Sequence, residues 1–192
     1  MKTNQSCYHG YRYPPDIISH AVWLYHRFAL SFRDVEELLA ERGVVVTYET
    51  VRQWCQKFGP HYARKLRCKQ GRLGDIWHLD ELFVNIQGKR HYLWVVTDKL
   101  RSYSAAHRQV MPSAVHDTRQ YANNRAEVSR QPTRQREHQM RRFKSSGQAQ
   151  RFLAVHGVVQ NLFRLGRHHL RSENYRWLRD RSFREWREVT AA

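Results

Sequence analysis

Two apolar runs set back to back, WHLDELFVNIQ and RHYLWVVTD, constrain this chain more than any other stretch. Aromatic and β-branched residues crowd both runs, and Gly88-Lys89 between them suits a two-residue loop, so two antiparallel strands are expected over residues 77–103. Asp80 heads the first strand and Asp98 closes the second, which puts one aspartate on each strand at the same open end. With Gly88-Lys89 as the loop, Asp80 faces Thr97 and Asp98 lies diagonally beside it on the opposite face. A slip of one residue, as a bulge gives, sets both carboxylates on one face roughly 5 Å apart at Cβ. Glu81 points away from Asp80 by the two-residue period and reads as structural.

Carboxylates at strand ends, joined by a third from elsewhere, suit a pair of hard divalent cations and phosphoryl-transfer chemistry. The third candidate is Glu127, in Asn-Asn-Arg-Ala-Glu. Three blocks carry these acids in order: WHLDELFVNIQGKRHYLW, VVTDKLRSYSAAHRQVMPS and NNRAEVSRQPTRQREHQMRRFKS. They resemble the DDE transposases of the IS6 family of bacterial insertion sequences, and with the N-terminal part the resemblance extends over nearly the whole chain. It implies an RNase H-like domain that cuts and joins DNA ends, with Asp80, Asp98 and Glu127 as catalytic ligands of two Mg2+ or Mn2+ ions. It also implies double-stranded DNA partners, the terminal inverted repeats and the target, and a homo-oligomer. Arg134 would be the basic partner two turns after the glutamate, and Arg125 a further DNA contact. Val128 and Arg130 stand where the family usually has Asn and His.

One departure from the family stands out. Its two aspartates are separated by a much longer segment that supplies further strands and a helix, whereas seventeen residues lie between Asp80 and Asp98 here. A shortened copy, with a block removed in frame between HYLW and VVTD, is therefore expected. The alternative function is a catalytically defective, internally deleted copy that only binds DNA.

Charge agrees with a nucleic-acid partner. The formal net charge is +17, and residues 99–151 hold twelve Arg/Lys against three Asp/Glu. With 41% hydrophobic content, six Trp, ten Tyr and eight Phe among 192 residues, a core is affordable and a disordered tail is excluded. No run approaches the ~20 apolar residues of a membrane span, and the first residues lack a signal peptide's apolar stretch, so a cytoplasmic, nucleoid-associated protein is expected. Cys7, Cys55 and Cys68 are odd in number and far apart, which supports neither a disulfide framework nor a zinc site.

Before the ribbon, three helices are legible. Asp16 caps the first, with Ile17, Ala21, Leu24 and Phe28 at helical spacing; Ser31 caps the second, which buries Phe32, Val35 and Leu38/Leu39 and ends at Gly43. Thr47 caps the third, whose inner stripe is Val51, Trp54 and Phe58. Its outward Tyr48, Glu49, Arg52, Gln53, Gln56 and Lys57 would face a major groove. Yet residues 16–60 hold five Arg/Lys against six Asp/Glu, so a helical unit that only packs is the competing expectation. Basic residues gather after it, Arg64 and Lys65 among them, as a phosphate-contacting linker.

The expected fold class is α+β: a trihelical helix-turn-helix domain over 14–60, a basic linker over 61–74, a truncated RNase H-like domain with a β-hairpin over 75–163, and a helical tail over 164–192. The helix after Gly147 is expected to pack on the sheet.

Overall fold

The computed structural model describes residues 6–69, 80–86, 89–95, 133, 135–140, 143–165 and 170–191, and within the two strands only the side chains of Ile86 and Lys89. In chain order the elements are α1 (Pro15–Arg27), α2 (Phe32–Ala40), α3 (Tyr48–Lys69), β1 (Asp80–Ile86), β2 (Lys89–Val95), α4 (Ser146–Phe163) and α5 (Ser172–Thr190). Among the described residues the chain is mostly helical, with a single two-stranded ribbon, and none of their helices is long and apolar enough to cross a membrane. The chain divides into two units, 1–71 with 150–192 and 72–149.

In the first unit, local signals set the helix ends. Pro15 opens α1, where its fixed φ suits a first turn and its missing N–H is not needed. Pro14 takes the capping position expected of Asp16, which lies two places later, within the first turn. Ser31 and Asp34 form a reciprocal capping box at α2: Ser31 Oγ accepts from the Asp34 amide at 3.1 Å, and Asp34 Oδ2 accepts from the Ser31 amide at 2.7 Å. Gly43 ends the turn after α2 at φ +77°, and the Val44 amide returns to the Leu39 carbonyl at 2.9 Å. A Cβ there would meet open space, so only the backbone resists substitution. Gly43→Ala is expected to lower stability by about 1 kcal/mol, measured by urea unfolding.

Thr47 caps α3 as expected, its Oγ1 accepting from the Thr50 amide at 3.3 Å. Val51, Trp54 and Phe58 are buried. The helix then runs on through Pro60 to Lys69, across the stretch expected to be a linker. A Gly-Pro pair ordinarily stops a helix, but Tyr62, Ala63 and Leu66 extend the buried stripe against α5, so packing overrides the local signal. Phe28 and Leu38, expected in the core, are 43% and 37% exposed: Phe28 falls past the end of α1, and Leu38 sits on the rim of the α2 stripe that Val35 and Leu39 centre.

From residue 150 onward α4 packs on α1. His156 Nδ1 lies 2.9 Å from the His26 carbonyl, which also accepts from Gln160 Nε2 at 3.1 Å, and Phe152 stacks between the two imidazoles at 5.5 and 5.0 Å. Gln160 further bonds the Arg27 carbonyl and the Arg27 guanidinium, at 2.8 and 2.7 Å. The last carbonyls of α1, which have no partner within the helix, are thereby satisfied.

A buried hydroxyl chain joins the N-terminal segment to α3 and α5. Tyr8 donates to the Thr190 carbonyl at 2.6 Å, so the 2.7 Å contact between Tyr8 and Tyr62 has Tyr62 as donor. Burial pushes Tyr8 up to about 12 and raises Tyr62 further. Their neutral forms are thus favoured in the folded state, and the stability they contribute is complete below pH ~10, where an unfolded tyrosine begins to ionise. The melting temperature is expected to fall as pH rises from ~10 through 12, and Tyr8→Phe with Tyr62→Phe should flatten that fall while lowering stability at neutral pH.

In the second unit β1 and β2 pair antiparallel without interruption, from Asp80↔Val95 to Ile86↔Lys89. This register differs by two residues from the expected one, in which Asp80 faces Thr97. No bulge interrupts these pairs. Ile86 also bridges Phe143 in parallel, and both are buried, as is Arg136.

Candidate nucleic-acid interface

The period of α3 separates its two sides. Val51, Trp54, Cys55, Phe58 and Tyr62 are buried, so Tyr48, Arg52, Gln53, Gln56 and Lys57 emerge together on the solvent side of the same helix. Tyr48 is held at the helix start: its amide donates to Glu36 Oε2 at 3.0 Å, and the Arg33 guanidinium lies 5.2 Å from its ring. Lys57 sets its ammonium 4.4 Å from the Tyr11 ring centroid. Arg52 donates twice to one carboxylate, Nε to Glu49 Oε2 at 2.9 Å and Nη2 to Oε1 at 2.6 Å. That hydrogen-bonded guanidinium holds Glu49 below its usual range.

Further along α3 the cations divide between packing and solvent. Arg67 donates to the Ala154 carbonyl and Lys69 pairs with Glu188, both structural tasks. Arg64 is exposed beside His61 Nδ1 at 3.3 Å, and Lys65 is half-buried. Partial burial, with Lys65 and Arg64 nearby, lowers His61. Arg33 and Glu36 were not singled out in the sequence: they meet Tyr48 across the turn from α2, and no periodic pattern records such a contact. Glu49, expected only as one of the outward residues of α3, pairs with Arg52 three residues on.

The acids stand differently. Asp80 is the first residue of β1, its backbone opposite Val95 at the open end of the ribbon. Asp98, Glu127, Arg125 and Arg134 lie outside the described residues. Among the described residues no group of three or more His, Cys, Asp or Glu could hold a metal.

Comparison with known proteins bears on this half of the chain. A family model described as a DDE domain, of the IS240 transposase type, matches residues 95–166. This segment is similar to the DDE domain of IS6-type insertion-sequence transposases. The chain is 39% identical over 83 residues to the transposase for insertion sequence-like element IS431mec of Staphylococcus aureus, in strains Mu50 and N315 among others. It is equally similar to the transposase for insertion sequence element IS257 in transposon Tn4003, also from Staphylococcus aureus. The alignments cover 43% of this chain and 37% of each relative. The chain thus spans well under half the length of these curated relatives, and the similarity is shorter than the near-complete extent expected from its motifs. No solved structure matches. The DDE segment takes in Asp98, Arg125, Glu127 and Arg134; it starts at Val95, where β2 ends, and leaves Asp80 outside.

Proposed function

We propose that this chain is an insertion-sequence transposase: α1–α3 form a helix-turn-helix that binds terminal inverted repeats, and a shortened RNase H-like DDE domain cleaves and joins DNA. The observation that carries the reading is the DDE match over residues 95–166, which holds Asp98 and Glu127 inside long motifs at the spacing of the blocks quoted above. The exposed polar face of α3 supports the binding half, and the net charge of +17 supports a polyanionic partner.

Asp80, Asp98 and Glu127 suit Mg2+ or Mn2+, because three carboxylates without a thiolate or imidazole among them favour hard cations. Bound there, two such ions would supply Lewis-acid activation of the attacking hydroxyl and neutralise charge on the scissile phosphate. The chain's own part is to bind and orient. The three acids hold the ions and none acts as nucleophile, so water, and then a freed 3′-hydroxyl, attacks phosphorus as the bond to the leaving oxygen breaks. Arg134, seven residues after Glu127, falls at helical spacing to hold a phosphate beside them; Arg125, Arg64 and Lys65 contact backbone phosphates. Joining two ends of one element calls for a homo-oligomer, and work on DNA places the protein at the nucleoid.

A second reading is favoured by one observation. The ribbon pairs without a bulge to Asp80↔Val95, and the DDE match starts at that same Val95, with seventeen residues between the two aspartates. An internally deleted copy that binds DNA without cutting it would have this join. The test is a joining assay with labelled inverted-repeat duplexes and Mg2+ or Mn2+. Metal-dependent strand transfer supports the transposase; a gel shift with no cleavage in either metal supports the binding-only copy.

A further inference from the structure

The Glu49 and Arg52 pair is more specific than a surface ion pair needs to be. Both donors on one side of the Arg52 guanidinium, Nε and Nη2, are engaged by the two oxygens of one carboxylate, at 2.9 and 2.6 Å. The two charged side chains nevertheless keep 44% and 42% of their surface exposed. An arginine carries five N–H donors in a rigid fork, so engagement on one side leaves the Nη1 and Nη2 edge directed away from Glu49. Two parallel donors on one plane match the O6 and N7 acceptors of guanine in a major groove.

Carboxylate placement argues against a phosphate as the target. Any phosphate drawn to Arg52 would approach Glu49 as well, and like charges at that range repel, whereas a base edge carries no formal charge. Arg33 and Lys57 are different, because each rests on an aromatic ring, Tyr48 and Tyr11. The face therefore offers one arginine buttressed by an acid, with cations suited to the backbone near it. Fixing the Arg52 rotamer before DNA arrives also removes part of the ordering cost of binding.

We infer that Arg52 reads a guanine in the bound DNA and that Glu49 is its positioning residue, holding the guanidinium edge toward the base. This rests on the helix-turn-helix reading of α1–α3 and assigns the base class that such a helix selects. The test is selection by the full-length chain from a pool of duplexes with a randomised stretch. The wild type is expected to enrich a site containing a G·C pair that Arg52→Lys and Arg52→Ala no longer select. Preference at that pair should fall about tenfold or more, with the other positions unchanged. Glu49→Gln keeps the shape and loses the charge; it should relax the same pair only and raise affinity for unselected duplex. Unchanged thermal melting of each variant shows that the fold is intact. If the wild type enriches a sequence and both Arg52 variants keep every preference, the assignment is overturned. Loss with Arg52→Lys but not with Glu49→Gln would refute the positioning role of Glu49. No enrichment by the wild type would sink the helix-turn-helix reading along with it.

Discussion

Replacing Asp98 or Glu127 by alanine is expected to abolish metal-dependent joining of inverted-repeat ends, by a factor on the order of 10³ or more, because an ion that loses a ligand forfeits several kcal/mol of transition-state stabilisation. Gel-shift affinity for the same duplex should not fall, since α3 and the three acids are separate parts of the sequence. Asp80→Ala carries the most information. It stands outside the DDE match, yet it heads β1. A loss equal to that of Asp98→Ala would make it the third ligand; unaltered joining would remove it from the site.

The second large effect is on folding. Phe58 is 1% exposed and stacks on Tyr8 at 4.9 Å, with the Tyr11 ring edge-on at 5.0 Å and Tyr62 at 6.0 Å. Phe58→Ala leaves a cavity among these three rings and is expected to lose about 3–5 kcal/mol, read as a lower urea midpoint with an unchanged slope. Trp177 is larger but 61% exposed, and Trp177→Ala should shift stability by no more than about 0.5 kcal/mol. Equal effects from the two substitutions would contradict the placement of the core between the N-terminal segment and α3.

These residues also show which parts of the fold the sequence carried. Ser31, Gly43 and Thr47 mark helix ends through local contacts, and the stripe Val51, Trp54 and Phe58 follows the helical period, so each was legible. What was not legible depends on distant partners. α3 continues past Gly59-Pro60 with Tyr62 and Leu66 buried beyond them. The packing of α4 on α1 depends on His156 and Gln160 meeting the His26 and Arg27 carbonyls, contacts about 130 residues apart in sequence. The hairpin itself was legible, while its register turned on which two residues connect the strands. At the candidate interface, the outward residues of α3 follow from periodicity, and Arg33 over Tyr48 does not. Asp98 and Glu127 both fall inside the DDE match, and their spatial relation to Asp80 belongs to tertiary structure.

The central claim is that three acids distant in sequence gather two divalent ions over a DNA end. Anomalous diffraction from crystals of the full-length chain with Mn2+ and a cleaved inverted-repeat duplex measures this directly. The account predicts two manganese peaks beside the terminal phosphate, ligated by Asp80, Asp98 and Glu127. Ordered DNA on α3, with the three carboxylates apart and no metal peak between them, would contradict catalysis and leave a protein that grips insertion-sequence ends without cutting them.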